Sequence, residues 1–370
     1  MQPKVLTISI PTWNREKLLA GLLEQLIGQV EKYKLGNEVE LLISNNGSED
    51  NTHQIVENYI TKYPYLTYNR NPFNIGGNPN VMKSMELASS EFLMVLGDDD
   101  RINEGSLTRV IEFLKSNPGT GLVVDSNKFK RKNSEVILEQ ELTLAELLRK
   151  YYWNMGNAGV FIIRSSYVKE GLEKYGAGFF NQCWSQTQFI ILGLSEHNKD
   201  KIFIKDLNII SHSVHQDVTI YNSFYLWRAG YLELFMALKS MDKILGKVNL
   251  QPAYDYLKEN VFQFALFNIL QFGVFIDGED LRDKTKKHVL KNAKHFSFFE
   301  KVILYLIVIG LLIPQPMAVW LGNLFILITK GKAGIVKKDQ FVEMELEKRR
   351  KAEKLKSISV RKLEFETDNY

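Results

Sequence analysis

The first hundred residues alternate between two hydrophobic patterns. "KVLTISIPT" is a short β-branched apolar run closed by Pro11, which predicts a buried strand. "NREKLLAGLLEQLIGQV" follows with apolar residues at helical spacing, and Asn14 stands where a helix cap is expected. The alternation then repeats. "VELLISNN" reads as a strand, "HQIVENYITKY" as a helix, "LTYNRN" as a strand, "NPNVMKSMELASS" as a helix and "EFLMVLG" as a strand. Strands alternating with helices predict an α/β chain with a mostly parallel sheet covered on both faces. In such sheets ligands gather where the loops leave the carboxyl ends of the strands. The turns Pro11–Arg15, Asn45–Asp50, Arg70–Asn80 and Asp98–Asp100 are therefore expected on one edge.

Beyond residue 120 the pattern is less regular. "TGLVVD" reads as a strand, "GVFIIRSSYVKEGLEKY" as strand then helix, "WSQTQFIILGLSE" as a helix and "DKIFIKDLNIISHSV" as a single strand. From about Tyr225 to Phe275 the pattern turns helical and aromatic. Val302 to Thr329 then contains no Asp, Glu, Lys, Arg or His, with lysines crowded on both sides. A single membrane-crossing helix needs roughly 20 apolar residues, but Pro314 and Pro316 divide this run into two shorter halves. Basic flanks favour the cytoplasmic side and anionic headgroups. The segment is read as an interfacial or re-entrant hairpin with both ends cytoplasmic. A buried helical hairpin, in a soluble domain or a dimer interface, is the alternative. The organisation expected is 1–222 as the main domain (in two parts, 1–120 and 121–222), a helical region 223–300, the apolar hairpin 301–330 and a charged tail 331–370 able to pair with another copy.

Composition narrows this reading only a little. Of 370 residues, 45% are hydrophobic and 24% charged, a globular balance. A formal charge of +4 does not indicate a surface that coats nucleic acid. The single cysteine, Cys183, excludes an internal disulfide and fits a reducing compartment. No secretory signal is expected, because Pro11 stops the first apolar run.

The chemistry is concentrated at Asp98, Asp99 and Asp100, which follow the apolar strand "EFLMVLG" directly. Adjacent carboxylates at a strand end repel one another unless something neutralises them. Mg²⁺ or Mn²⁺ would do so, taking one or two carboxylates together with substrate phosphates. The alternative is an acidic start to the helix "EGSLTRVIEFLK", favoured by its dipole.

"TISIPTWNR", "LLISNNGSEDNT" and "NRNPFNIGGNPNVMKSMELASSEFLMVLGDDD" together resemble the successive nucleotide-binding elements of family 2 glycosyltransferases, above all bacterial O-antigen and capsule sugar transferases of the abequosyltransferase type. The resemblance covers about residues 4 to 120 strongly and runs on weakly to Asp217. It implies a GT-A, Rossmann-like nucleotide-binding domain followed by a helical C-terminal region. It implies an inverting transfer from a nucleotide-diphosphate sugar to a glycan acceptor, lipid-linked, for cell-surface polysaccharide at the inner face of the membrane.

By the same resemblance Pro11, Thr12, Asn14 and Arg15 meet the nucleotide, and Asn45 or Asn46 takes the base position, where many relatives have Asp. Arg70 and Asn74 lie near base and ribose, Gly76 and Gly77 allow close backbone approach, and Asn80 and Lys83 line the donor pocket. Asp98 and Asp100 match the metal-binding pair, with Asp99 also a candidate. A histidine after the later strand, His212 or His215, reaches the metal or diphosphate. The acceptor loop matches "WNMGNAGVF", and the acid pair that supplies the base is expected near "FFNQCWSQTQF", which has Gln182, Ser185, Gln186 and Gln188 and no acid. Amides cannot accept a proton as a base. Asp217 is the first candidate for that role, followed by Glu196, Asp206 and His215. Trp153, Trp184 and Trp227 are candidates for stacking on sugar rings or for plain core packing. A nucleotidyltransferase and a degenerate, non-catalytic subunit of the same fold are the rival readings.

Overall fold

The computed structural model describes residues 4–126, 139–156, 158–180, 184–213, 228–246, 248–262, 275–276, 279–280, 282–312, 317 and 320. The chain divides into two compact units, 1–216 with 233–257, and 217–232 with 258–370.

The first unit is built on the predicted alternation: β1 (Leu6–Thr12), α1 (Glu16–Lys32), β2 (Val39–Asn45), α2 (Thr52–Ile60), β3 (Leu66–Arg70), α3 (Gly77–Glu86) and β4 (Phe92–Val95). β5 (Asp100–Ile102), α4 (Ser106–Ser116), β6 (Thr120–Asp125), β7 (Glu139–Leu142), α5 (Leu144–Tyr151), β8 (Phe161–Arg164), α6 (Ser165–Tyr175), α7 (Ser185–Glu196), β9 (Lys201–Lys205), β10 (Ile210–Ser213), α8 (Leu234–Leu245) and α9 (Gln251–Tyr256) follow. Eight strands form one sheet in the order β3-β2-β1-β4-β8-β6-β9-β7. β8 is antiparallel to β4 and β6, and β7 is antiparallel to β9, while the other six run parallel. This is an α/β fold with a mostly parallel sheet. β1 and β2 are interior strands: Leu6, Ile8, Ile10, Val39, Leu41 and Ile43 are all fully buried, as expected of parallel strands covered on both faces.

Register places the chemistry. Thr12 pairs with Asn45, and Asn45 with Arg70. The carboxyl ends of β1, β2 and β3 are therefore level, and β4 runs parallel beside β1. The four predicted turns do share one edge.

Two local expectations fail for physical reasons. The run Asp200–Val214, read as one strand, is broken into β9 and β10. Asn208 adopts a left-handed conformation with φ +49°. Buried Asp125, at the end of β6, accepts hydrogen bonds from the backbone N–H groups of Leu207 (3.0 Å), Asn208 (3.2 Å) and Ile209 (2.8 Å). This grip turns β10 out of the main sheet to pair antiparallel with β5, where Ser213 faces Asp100. The second concerns Asn14, which does not cap α1. Its φ is +51°, its carboxamide oxygen accepts from Glu49 N (2.8 Å), and its own N–H donates to Ser48 Oγ (2.9 Å). Asp50 takes the helix-end N–H of Glu16 instead, at 3.1 Å. Asn14 thus ties the first loop to the second.

Glu40 joins the strands near the opposite edge. It is buried and accepts from the hydroxyls of Thr7, Thr67 and Ser89 and from Ser89 N. Glu40→Ala orphans these donors and is expected to cost about 2–4 kcal/mol. The check is a lower urea midpoint with unchanged nucleotide affinity, since Glu40 lies away from the loop edge.

In the second unit two short strands, Phe275–Ile276 and Glu279–Asp280, pair antiparallel, followed by α10 (Arg282–Asn292) and α11 (Phe298–Gly310). Among the described residues no helix is long and apolar enough to cross a membrane. Pro314, Pro316, most of the apolar run beyond them and the charged tail lie outside the described residues.

Candidate functional site

The acidic turn joins two strands rather than capping a helix. β5 separates Asp98–Asp100 from α4, which starts at Ser106, so the helix-dipole alternative is not what the fold builds. Asp98 is buried. Its Oδ2 accepts from Thr12 Oγ1 at 2.7 Å, and its Oδ1 pairs with Arg15 Nη1 at 2.8 Å. Burial pushes the Asp98 carboxyl above the usual range, against the pull of the Arg15 guanidinium and the Thr12 hydroxyl. Arg15 also reaches Asp99, at 3.5 Å.

Asp99 and Asp100 turn back over Gly97. A Cβ placed on Gly97 would lie 2.9 Å from Asp99 Oδ1 and 3.0 Å from Asp100 Oδ2. Two carboxylate oxygens therefore converge on space that only glycine leaves open. Gly97 N donates to Asp100 Oδ2 at 3.1 Å, fixing that side chain. Hard divalent cations take oxygen donors, often one or two protein carboxylates with the remaining positions left to water and phosphate. Among the described residues no group of three or more His, Cys, Asp or Glu is placed to hold a metal. The two carboxylate oxygens over Gly97 suit a cation that takes its other ligands from water and phosphate. His215 lies outside the described residues, and His212 pairs through its backbone with Arg101.

The second and third loops are bound to each other by amides. Asn46 uses all four of its hydrogen-bonding positions. Its Oδ1 accepts from Asn71 Nδ2 (3.1 Å) and Ile75 N (3.0 Å), and its Nδ2 donates to Asn74 Oδ1 (2.8 Å) and Gly76 O (3.1 Å). It braces the loop and has nothing left for a base. Asn45 donates to Tyr68 OH (2.9 Å) and accepts from Ser48 N (2.8 Å), which leaves one amide N–H and one lone pair of its carboxamide oxygen. His53 approaches the same Tyr68 hydroxyl at 3.1 Å, and the two rings stack.

Asn80 is buried, bonded to Ser44 and Asn71. Gly76 has φ +96°, a conformation side chains rarely adopt. Pro11 pairs with Ser44 in the sheet, and Arg70 is exposed at the end of β3. Lys83 is turned to Glu86 on the surface of its own helix, at 2.9 Å. Ser48, Asp50, Tyr68 and Asn71 were not singled out from the sequence. Each is a short polar or aromatic side chain at or just past a strand end, the signal that picked out Asp98.

Residues 7–172 match the sequence profile described as Glycosyl transferase family 2. Over these residues the chain is similar to family 2 glycosyltransferases. Abequosyltransferase RfbV of Salmonella typhimurium is 32% identical over 113 residues, 30% of this chain and 33% of its own length. A GalNAc(5)-diNAcBac-PP-undecaprenol beta-1,3-glucosyltransferase of Campylobacter jejuni is 30% identical over 116 residues, 31% of this chain and 35% of its own. The chain thus spans about a third of the length of these curated relatives. Among solved structures, S. aureus TarS 1-349 aligns with a TM-score of 0.46 at 18% identity, covering 82% of this chain and 90% of that one. The mannosyltransferase PcManGT from Pyrobaculum calidifontis, in complex with GDP-Man and Mn2+, aligns with a TM-score of 0.46 at 14% identity, covering 97% and 88%.

In the region expected to face the acceptor, Trp184 stands at the start of α7 with φ +67°. Its ring occupies the space where a Cβ on Gly156 would sit, and Gln186 Nε2 donates to Gly156 O at 2.6 Å. The predicted acceptor loop is therefore packed onto the start of α7. Of the acids proposed as base, Glu196 ends α7 just before β9, on the edge opposite the site. There it is held ionised by Lys174 (2.6 Å) and Tyr175 (3.0 Å). Asp206 follows β9 on the correct edge. Asp217, Gln182 and Cys183 lie outside the described residues, as does Trp227. Asp125, missed from the sequence, is on the correct edge but engaged with three backbone N–H groups.

Proposed function

We propose that this chain is an inverting glycosyltransferase that moves a sugar from a nucleoside diphosphate donor to a hydroxyl of a lipid-linked glycan destined for the cell surface. The observation that carries the reading is the single edge on which the acidic turn is bound to the first loop through Thr12 and Arg15, beside the amide-braced second and third loops. Asn45, with Tyr68, His53 and Arg70 near it, is the base-facing group, and Asn74, Gly76 and Gly77 are the backbone of the ribose and phosphate side. Asp99 and Asp100 would hold Mn²⁺ or Mg²⁺, and Asp98 locks the turn to Arg15. A bound cation would neutralise charge on the departing diphosphate. The acceptor oxygen forms its bond to the anomeric carbon as the bond from that carbon to the phosphate oxygen breaks, and the hydroxyl proton passes to a carboxylate.

Asp217 is proposed as that base, with Asp206, just past β9, the alternative. Asp217→Asn is expected to lower kcat by roughly 10²–10⁴ with little change in donor KM. The proposed place of action is the cytoplasmic membrane face, and support for a lipid-linked acceptor comes from the Campylobacter relative, named for an undecaprenol-linked glycan. The test is release of nucleoside diphosphate from UDP-, GDP-, dTDP- and CDP-sugars with a polyprenyl-diphosphate glycan, reading product configuration by NMR. One active nucleotide series with an inverted product is expected. Retention would overturn the single-displacement step. Nucleotide binding without turnover in any series would favour a non-catalytic subunit, for which the amides Gln186 and Gln188 on α7 are the motivating feature.

A further inference from the structure

The second unit carries an exposed apolar stripe beside a basic helix. On α11 and the turn after it, Val302, Tyr305, Leu306, Ile309 and Leu312 are all exposed, Leu306 by 60% and Leu312 by 65%. At 3.6 residues per turn they occupy roughly a third of the helix circumference. Leu304 and Leu311 lie on the opposite side and are buried, as are Val289, Ala293 and Phe296 from α10 and its exit. α10 packs against α11. The outer side of α10 and its exit presents Lys287, Leu290, Lys291 and Lys294. Residues 282–301 contain seven basic side chains against two acidic ones.

We propose that this face docks onto a bilayer surface containing anionic lipid, lying in the interface without crossing it. The proposal deepens the reading of a lipid-linked acceptor and rests on it for its purpose, but not for its test. At about 1.5 Å per residue, α11 is roughly 20 Å long, shorter than the roughly 30 Å hydrocarbon core. A helix that is apolar on one side, with lysines beside it, is the form that binds in the interface plane. A second copy of the chain is the weaker occupant. A two-fold contact would set the same patch against itself, basic helix toward basic helix. An anionic headgroup layer complements that charge.

The test is flotation of the full chain with phosphatidylcholine vesicles, with and without phosphatidylglycerol. Binding is expected only with phosphatidylglycerol. Leu306→Asp with Ile309→Asp should weaken it at least tenfold. Lys287→Glu, Lys291→Glu and Lys294→Glu together should weaken it at low salt, with the difference narrowing at high salt. The lysine variant changes only exposed side chains, so it keeps the test valid if the aspartates perturb folding. Nucleotide binding, measured in parallel, should not change, which separates this surface from the donor site. The proposal is overturned if the chain fails to float with anionic vesicles, or if both variants float like the parent. Light scattering that shows a dimer split by the aspartates, without vesicle binding, would assign the face to a second copy instead.

Discussion

Replacing Asp99 and Asp100 together by asparagine is expected to abolish metal-dependent donor turnover, by roughly a thousandfold or more, while the fold persists. Both side chains converge over Gly97. Asparagine keeps the shape and the acceptor that Gly97 N needs, but removes the two negative charges on which a hard cation depends. Asp98 is expected to behave differently. Its carboxyl is raised by burial, so the folded chain binds that proton more tightly than the unfolded chain does. Stability linked to this group is present at low pH and lost as pH rises through the raised value. Asp98→Asn should therefore melt no lower than the parent at neutral pH, even though Arg15 loses one of its ionic partners, and should still lose activity. A group that costs stability when ionised yet sits at the ligand edge is expected of a functional site. Thermal melts across pH, alongside donor turnover, check both statements. Full activity in the Asp99/Asp100 variant would remove the metal assignment.

The second large effect is expected at Asn46. Asn46→Leu removes four hydrogen bonds to Asn71, Asn74, Ile75 and Gly76 at once. Their partners are then left in a partly buried loop, at a cost of about 2–4 kcal/mol. The consequence should be local as well as global, because this one side chain braces the loop 71–76 at four points. Hydrogen exchange in that loop should accelerate, and nucleotide affinity should fall at least tenfold. Asn46→Asp is the sharper variant. It keeps the acceptor for Ile75 N but sets a carboxylate against the carbonyl oxygens of Asn74 and Gly76. A variant that loses stability but binds nucleotide normally would show that the brace does not shape the donor site.

Much of this architecture was legible in the sequence because it is local. Strand runs end at Pro11, Asn45, Arg70 and Gly97, and parallel βαβ connections bring those ends to one edge. The antiparallel β8 between β4 and β6 was not legible, since strand direction depends on partners far along the chain. Nor was the break at Asn208, which is made by Asp125 more than eighty residues earlier. Asn14 and Asn46 have the sequence signature of a cap and a base contact. Their contacts with Glu49 and with the loop 71–76 instead make them ties between loops. Asp98, read as one of three equivalent carboxylates, is distinguished by a guanidinium from the first loop. Glu196 could be set aside only once β9 showed which edge it occupies.

The most direct measurement is calorimetric binding of UDP, GDP, dTDP and CDP to the purified chain with Mn²⁺, repeated after chelation and with the Asp99/Asp100 variant. The account predicts that one nucleoside diphosphate binds, that chelation removes the binding, and that the variant never shows it. Binding unaffected by chelation, or equal in the variant, would contradict the assignment of the acidic turn to a metal–diphosphate site.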